Sequence, residues 1–366
     1  MDPSTQFCPN YYCLKRGLFN QGHIKVHSHK ERRFRCTCCG KTFAASRNTP
    51  FFRLHKALDL VTVVLTLLSH GCPLQAIVAA YDLDERTVAD WHQRAGDHAQ
   101  RFHQLHVQQG RVDAQHVQAD ELYVKMVGRK RWLAMALAVP SRLWLGGVLG
   151  PRRDQTLIDT LVAMVRSCVQ SLAILVCVDG LASYVGAFVR GFRNPVQGWT
   201  GRPCLVTEPG LLIGQVIKRY RGKRLVHIVR RVARGSAEAI QDVLRRTQTG
   251  SQINTSYIER LNATFRANLT GLVRRGRALG HEPERMQAAL YLLGCVYNFC
   301  WYHDSLRVPA AASRGTKWVD RTPAQTAGLT DRRWTVRQLL EKRLPPALWK
   351  APRKKRCYRR AKPVAA

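Results

Sequence analysis

The sequence predicts an α/β protein whose mixed sheet is flanked by helices and preceded by two smaller units. Two observations predict the sheet. Three β-rich runs joined by short turns occupy residues 117–150, and a helical pattern then leads to the fully apolar strand at 172–180. A third observation predicts the smaller units, because closely spaced cysteines and a helical periodicity precede residue 117. A chain of 366 residues has room for about two or three domains.

Charge is the most unusual feature of the composition. The chain has 59 Lys and Arg residues against 24 Asp and Glu residues, a formal net charge of +35. So many positive charges repel one another unless a polyanion binds them, which makes nucleic acid the expected partner. A protein that is merely rich in arginine is the alternative. The surplus cations lie in residues 1–50, 211–234 and 306–366, which predicts several separate contacts with nucleic acid.

Membrane and secreted classes are not favoured. Residues 60–81 carry no Asp, Glu, Lys or Arg and are about long enough to cross a bilayer. His70, Gly71 and Pro73 interrupt this stretch, which favours a turn between two helices over a membrane span. The first residues lack the basic start and apolar stretch of a secretory signal, so we expect a reducing, cytoplasmic location. There, the 12 cysteines favour metal binding over disulfides.

Five cysteines in the first 39 residues indicate a metal site. Two close pairs on two knuckles supply the four thiolates of a tetrahedral zinc ion, so residues 1–50 are expected to form a zinc ribbon with one structural Zn²⁺. The expected ligands are Cys8, Cys13, Cys36 and Cys39. Cys38 is left out, because a two-residue spacing fits a knuckle better than adjacent cysteines do. Unrelated buried thiols are the alternative.

A helix-turn-helix is expected in residues 51–100, followed by a linker at 101–116. Apolar residues recur at three- and four-residue steps in the first helix, and Pro73 and Asp84 then mark the starts of two more helices. Asp84 would cap the third helix, whose polar N-terminal face would meet base edges. The side chains expected to contact DNA there are Arg86, Thr87, Asp90 and Gln93. A helical hairpin inside an ordinary core is the alternative.

Acids are scarce in this chain, so their positions carry information. Asp120 lies in the first strand of the sheet, and Asp179 ends the apolar strand. Glu259 lies in a helical stretch and shares a face with Asn262 and Arg266. Carboxyl ends of strands are where open α/β sheets place their sites. Three carboxylates suit Mg²⁺ or Mn²⁺, and two such ions can activate an attacking hydroxyl and stabilise the leaving oxygen of a phosphodiester.

Three motifs resemble those of a known family. They are DELYVK at 120–125, VDGLASY at 178–184 and YIERLNATFR at 257–266. In this order they resemble the three acidic motifs of the DDE transposases of bacterial insertion sequences. The N-terminal cysteines, with CGKTF at 39–43, and the helix-turn-helix pattern extend the resemblance over residues 8–305.

The resemblance implies a ribonuclease H-like catalytic domain at 117–305, with Asp120, Asp179 and Glu259 in the places of the catalytic, metal-binding acids. It implies recognition of terminal inverted repeats, metal-dependent strand cleavage, and strand transfer by the liberated 3′-hydroxyl. The protein would act as a homo-oligomer on DNA, associated with the bacterial nucleoid. Glu121 makes the first metal ligand ambiguous, and strand alternation is expected to place it on the opposite face. A DNA-binding regulator and a structure-selective nuclease are the alternatives.

A basic hairpin is expected as an insertion at 211–235. Residues 211–234 contain eight Lys and Arg residues and no acid, with alternating Val and Ile. The DNA contacts expected in the hairpin, and near it at Arg266, are Lys218, Arg219, Arg221, Lys223, Arg224 and Arg266. A solvated charged face is the alternative. Residues 306–366 hold 17 Lys and Arg residues against three acids and predict a basic, partly disordered tail.

Overall fold

The computed structural model describes residues 1–197, 202–273, 280, 282–310 and 317–346. The chain divides into two compact units. The first combines residues 1–48 with the segment that begins at Arg343, and the second spans residues 49–342. Within the described ranges, no helix has both the length and the apolar character needed to cross a membrane.

A three-stranded antiparallel sheet lies at the centre of the first unit. Its strands are β1 (Ile24–Ser28), β2 (Arg33–Cys36) and β3 (Thr42–Ala44), with β2 in the middle. The register pairs Phe34 with Phe43, and these two buried rings stack with their centroids 6.0 Å apart. They pack with Ile24 and buried cysteines in a small core. So few apolar residues bury little surface, and this unit needs a further source of stability.

Arg343 enters this small core from the far end of the chain. Its guanidinium lies over the rings of Phe7 and Phe43. It also donates hydrogen bonds to the carbonyl oxygens of Ala45 and Arg47. These contacts compensate part of the cost of burying a charged side chain that is only 4% exposed and whose Nε and Nη2 have no hydrogen-bond partner among the described residues. The first unit is therefore discontinuous in sequence, whereas we expected a domain made of residues 1–50 alone.

Three helices open the second unit. They are α1 (Leu58–Ser69), α2 (Leu74–Tyr81) and α3 (Glu85–His106). Asp84 is the N-cap of α3, and its carboxylate accepts the backbone N–H of Thr87 at 2.8 Å. The helix is 22 residues long, so the first part of the expected linker at 101–116 is helical. Phe102 and His103 explain this difference, because both are fully buried and hold the last turns of α3 in the core.

A six-stranded mixed sheet forms the centre of the second unit. Its strands are β4 (His116–Met126), β5 (Arg129–Ala138), β6 (Leu143–Gly150), β7 (Leu175–Asp179), β10 (Leu212–Arg221) and β11 (Arg224–Arg234). They lie in the order β11-β10-β7-β4-β5-β6, and β10, β7 and β4 run parallel. The remaining neighbours pair antiparallel. The predicted α/β class with a mixed sheet is confirmed. Two further strands, β8 (Arg193–Gln197) and β9 (Pro203–Thr207), form a separate hairpin.

Helices cover both faces of this sheet. They are α4 (Gln155–Cys168), α5 (Ala182–Gly191), α6 (Ala237–Thr247), α7 (Ser256–Asn268) and α8 (Pro283–Phe299). Two adjacent glycines of β6 show that helices pack on both faces of the sheet. A Cβ on Gly146 would meet Met164 of α4, whereas a Cβ on Gly147 would meet Leu290 of α8. Successive residues of a strand face opposite sides. The sheet is thus the middle layer between α4 on one side and α8 on the other.

Trp144 of β6 is the largest fully buried side chain of the chain's described part. Its ring contacts those of His103, Phe265 and Tyr291. Asn298 of α8 accepts the Trp144 backbone N–H and donates to its carbonyl oxygen, both at 2.9 Å. The side-chain amide thus satisfies both backbone groups of Trp144, which lies on the edge strand β6 next to the point where the β5–β6 register shifts.

Part of the expected basic tail is folded on the second unit. It contains β12 (Val308–Pro309), β13 (Trp318–Val319), α9 (Pro323–Thr326) and α10 (Val336–Glu341). Val336, Leu339 and Leu340 form the buried face of α10. Counting charges over the whole segment hid this short apolar face, so part of the expected basic tail at 306–366 has regular structure, at 308–309 and between 318 and 341. Residues 347–366 lie outside the described part of the chain.

Replacing Gly294 of α8 with Ala is expected to destabilise the protein by about 2 kcal/mol, because overpacking a dense core forces its neighbours to move. A Cβ at this position would overlap the Trp144 ring. Urea unfolding measures the change. Gly186→Ala in α5 is the matched control, since only the flexible end of Arg190 lies near. It should be neutral or stabilising by about 0.5 kcal/mol, and equal effects of the two variants would contradict this packing.

Candidate functional site

The parallel pairing of β4 with β7 brings two acids together. The register pairs Ala119 with Val178, so the next residues, Asp120 and Asp179, lie side by side where β7 ends. Both side chains are partly buried. The carboxyl end of parallel strands is where open α/β sheets place their sites. Two of the three acids predicted from the sequence are therefore adjacent.

Glu121 joins these two acids. One carboxylate oxygen from each of Asp120, Glu121 and Asp179 lies within 4.8 Å of the other two, a spacing that suits a shared metal ion. We expected strand alternation to place Glu121 on the opposite face of β4 from Asp120, and its carboxylate nevertheless reaches the cluster. Because β7 ends at Asp179, β4 continues without this neighbour, and side chains from both faces of β4 reach the same open space.

Tyr184 and Arg153 hold Glu121 in place. The fully buried Tyr184 of α5 donates its hydroxyl to Glu121 Oε2 at 2.8 Å. Nη2 of Arg153 contacts Glu121 Oε1 and lies 3.1 Å from Asp179 Oδ2. The same guanidinium lies over the ring of Trp132, 5.4 Å from its centroid. Arg153 therefore bridges two of the three clustered acids.

Glu259 lines the same cleft from α7, outside the three-acid cluster. Its Oε1 lies 2.5 Å from Nζ of Lys218 and accepts the hydroxyl of Thr255 at 2.9 Å. Asn262, three residues further along α7, donates to Asp120 Oδ2 at 2.7 Å. The predicted shared face of Glu259 and Asn262 thus points toward the acids. The cleft has a volume of about 840 Å³.

Burial and mutual repulsion favour the protonated forms of Asp120 and Glu121. Burial is the main cause that raises the pKa of Asp120 to about 7, and the charges of Glu121 and Asp179 add to it. Burial also raises the pKa of Glu121, with a further contribution from Asp179. A bound cation has the opposite effect, because it stabilises carboxylates. Metal binding at this cluster would therefore release protons near neutral pH.

The basic residues predicted in the hairpin lie on its exposed part. β10 is buried from Leu212 to Val216 and exposed from Lys218 onward, and most of β11 is exposed. The two strands thus leave the sheet as a basic arm, residues 217–231. Its exposed cations are Lys218, Arg219, Arg221, Lys223, Arg224, Arg230 and Arg231. Lys218 and Tyr220 line the acidic cleft, and so does Arg266 of α7.

The predicted DNA-reading face of α3 is more acidic than basic. Thr87 contacts Asp84 through its backbone N–H and its hydroxyl. Gln93 donates to Asp97 at 2.8 Å. The exposed charged residues around this helix start are Asp82, Asp84, Glu85, Arg86, Asp90, Arg94 and Asp97, and Arg94 pairs with Asp90 at 2.8 Å. Acids repel anions, so this face is less suited to a polyanion than the basic arm is.

A second candidate metal centre lies in the first unit. Its four sulfur atoms, from Cys8, Cys13, Cys36 and Cys39, all lie within 4.8 Å of one another. The Cys8–Cys39 and Cys13–Cys36 sulfur distances are 3.6 and 3.8 Å. A tetrahedron of thiolates with metal–sulfur bonds of about 2.3 Å has edges of about 3.8 Å, so the four residues fit such an ion. Burial raises the pKa of Cys13 to about 11, and metal binding must therefore displace its proton.

Gly40 shapes the second cysteine pair. It has a φ of +70°, which an L side chain adopts only with strain, and its N–H donates to the Cys36 carbonyl oxygen at 2.9 Å. This turn brings Cys39 back toward Cys36. Cys38 points to solvent and is exposed. The predicted ligand set, including the omission of Cys38, corresponds to the cysteines that the structure brings together.

Sequence reasoning missed Trp132 and Arg153, which line the acidic cleft, and the buried Tyr184, which contacts Glu121. Arg153 lies between β6 and α4, in a stretch whose sequence resembles that of any basic loop. Tyr184 follows Asp179 by five residues within VDGLASY, so a first-turn helical position next to the acids could have been inferred. Trp132 faces the cleft from β5, and its pairing with Tyr123 of β4 depends on the register of the two strands.

No protein-family model and no curated protein sequence matches this chain.

The metal-free protein is expected to lose stability as the pH rises through the range of Asp120. A carboxyl group whose pKa is raised from 3.8 to about 7 binds its proton more tightly in the folded chain than in the unfolded chain. Its contribution to the free energy of unfolding is therefore present at low pH and lost as the pH rises from about 4 to about 7. Asp120→Asn should lack this loss and exceed the wild type in stability at pH 8 by on the order of 2 kcal/mol.

Urea unfolding in EDTA at pH 5 and pH 8 measures this difference. Asp242→Asn, at an exposed position of α6, is the matched control and should keep the wild-type pH dependence. A loss of stability in Asp120→Asn as large as that of the wild type would show that Asp120 is not the group responsible.

Proposed function

We propose that the chain is a DDE transposase, an enzyme that cleaves DNA strands and transfers them with the help of divalent metal ions. One observation carries the proposal: three clustered carboxylates and Glu259 share a cleft with Lys218 of the basic arm. Acidic groups can hold the metal ions that phosphodiester chemistry uses, and the adjacent cations can hold the phosphates. The three sequence motifs that resemble this family supply the acids of the cleft.

The architecture supports a ribonuclease H-like catalytic domain within the second unit. The order β6-β5-β4-β7-β10 places an antiparallel meander next to two parallel strands, with helices on both faces. This arrangement is compatible with that fold. The acids lie on its central strands, β4 and β7. β11 adds a strand to one edge and forms the basic arm together with β10.

The acids and the side chains that bind them have distinct roles in this proposal. Asp120, Glu121 and Asp179 would hold Mg²⁺ or Mn²⁺, which supplies the Lewis acid that activates the attacking hydroxyl and stabilises the leaving oxygen. Asn262 orients Asp120, and Tyr184 orients Glu121, by the hydrogen bonds described above. Outer hydrogen bonds of this kind fix the positions of metal ligands.

Glu259 is the third acid of the sequence motifs and stands apart from the other three. Its contact with Lys218 holds it at the wall of the cleft. In the proposed reaction Glu259 contributes its carboxylate from α7 once Lys218 binds a phosphate instead. Lys218 and Arg266 would position the strand, because contacts with phosphates fix the register of DNA and carry no sequence information.

The first unit is proposed to be a zinc ribbon, in which Zn²⁺ adds the stability that its small core lacks. α2 and α3 are proposed to form the helix-turn-helix that approaches the element's ends. Five exposed acids surround the start of α3. The helix-turn-helix would therefore contact DNA through Arg86 in the first turn of α3, and the basic arm would make most of the phosphate contacts. The protein would act on two DNA ends as a homo-oligomer.

Purified protein with Mn²⁺ is expected to cleave and join DNA that carries the inverted repeats flanking its own gene. Asp179→Asn should lower the rate by on the order of 100-fold or more, because a ligand of the metal is lost. Asp159→Asn is the matched control, since Asp159 is an exposed acid of α4 that pairs with Arg190. Labelled DNA ends and a target plasmid, separated on denaturing gels, measure both steps.

Three outcomes of this assay separate the candidate functions. Joined products that disappear in Asp179→Asn support the transposase. Cleaved DNA without joined products would favour a nuclease. Binding without any metal-dependent change in the DNA would contradict an enzyme and favour a DNA-binding regulator.

Purified protein is expected to hold about one equivalent of zinc in the first unit. Cys36→Ser should lose this zinc and lower the midpoint of thermal unfolding, because a metal-bound core loses its main support. Cys38→Ser should keep both, since Cys38 is exposed and outside the cluster. Elemental analysis and calorimetry measure the two properties. Equal zinc contents in both variants would contradict the assigned ligands.

A further inference from the structure

Three of the four acids of the cleft are already paired with cations of the chain. Arg153 contacts Glu121 and Asp179 at once, and Lys218 contacts Glu259. These two cations compensate charges that a metal ion would compensate after binding. The two contacts differ in one respect: Arg153 lies within the three-acid cluster, whereas Lys218 pairs with the acid outside it.

We propose that Arg153 is an exchangeable cation that occupies the metal site in the absence of DNA and binds a backbone phosphate when the metal ion replaces it. This inference rests on the proposed function and deepens it, because it assigns a regulatory contact to the same cleft. Arg153 would then be a positioning residue that couples the binding of metal to the binding of DNA.

Space and charge make the two occupants exclusive. Nη2 of Arg153 lies between Glu121 and Asp179, whose carboxylates belong to a cluster only 4.8 Å across. A metal ion that binds both carboxylates needs the same space. A divalent ion and a guanidinium also repel each other strongly at such short distances inside a protein. The ion therefore binds only if Arg153 moves away.

The surroundings of Arg153 allow this movement. The residue lies in the short segment between β6 and α4, outside regular helix and strand, and its side chain is 36% exposed. Trp132, beneath the guanidinium, offers a ring face that can hold it at the mouth of the cleft. A guanidinium binds phosphate with the same paired hydrogen bonds that it makes with a carboxylate. Rotation of the side chain is thus sufficient to exchange one anion for another.

The exchange has a thermodynamic consequence. A DNA phosphate that binds Arg153 releases Glu121 and Asp179 for the metal ion, and the ion releases Arg153 for the phosphate. Each ligand therefore raises the affinity of the other by the same factor. The site would take up metal weakly when no DNA is bound, which restricts the chemistry to loaded complexes.

Binding of Mn²⁺ to the full-length, zinc-loaded protein tests this inference directly, with free Mn²⁺ measured by electron paramagnetic resonance. Without DNA, Arg153→Gln should bind Mn²⁺ about 10-fold more tightly than the wild type, because the competing cation is gone. Arg153→Lys keeps the charge and should stay within about threefold of the wild type. Arg152→Gln, a neighbouring exposed arginine, is the matched control and should not change the affinity. Equal or weaker binding by Arg153→Gln would overturn the inference.

The same measurement with a duplex of about 30 base pairs and arbitrary sequence tests the coupling, because phosphate contacts do not depend on sequence. After subtraction of the Mn²⁺ that the duplex binds alone, DNA should raise the Mn²⁺ affinity of the wild type about 10-fold. DNA should leave the Mn²⁺ affinity of Arg153→Gln nearly unchanged. An equal gain in both proteins would overturn the inference, and it would do so even if Arg153→Gln alone behaved as expected.

Asp179→Asn separates failure of this inference from failure of the proposed function. If Asp179→Asn loses Mn²⁺ binding but Arg153→Gln equals the wild type, the metal site is correct and only the exchange is wrong. If Asp179→Asn binds Mn²⁺ as the wild type does, the proposed metal site itself is wrong and the exchange falls with it.

Discussion

Repulsion among three carboxylates constrains the structure around the end of β7. Asp120, Glu121 and Asp179 lie within 4.8 Å of one another, and two of them have raised pKa values because they are also largely buried. Acids so placed destabilise a fold unless donors or cations compensate them. The compensating groups are Asn262 of α7, Tyr184 of α5 and Arg153 of the segment before α4. Each ties a different element to the sheet at the same point.

The distribution of charge follows from the same constraint. The acids of the site lie inside the cleft, whereas most cations of the basic arm are exposed to solvent. Lys218 of the arm reaches the cleft, where it pairs with Glu259. A net charge of +35 can thus coexist with an acidic site. The exposed acids around α3 form a separate surface. Its sign is opposite to that of the basic arm, so a polyanion would be attracted to the arm and repelled by this surface.

Local patterns predicted much of this arrangement. Alternating strands, the apolar β7 and the cysteine spacing are properties of short segments, and acids at strand ends meet when the strands are parallel neighbours. Contacts between distant segments were not predictable. Arg153 is one of 59 Lys and Arg residues, and nothing in its neighbourhood distinguishes it. Arg343 lies almost 300 residues from the carbonyl groups that it binds. Glu121 belongs to the three-acid cluster because β7 ends at Asp179, and sequence patterns locate the end of a strand only approximately.

Anomalous diffraction from crystals of the protein with Mn²⁺ and DNA measures most directly whether the three acids hold a metal ion. We expect a manganese peak about 2 Å from carboxylate oxygens of Asp120 and Asp179, with Arg153 turned away from Glu121 and bound to a phosphate. A cleft without such a peak at saturating Mn²⁺, and with Arg153 still bridging Glu121 and Asp179, would contradict both the metal site and the exchange.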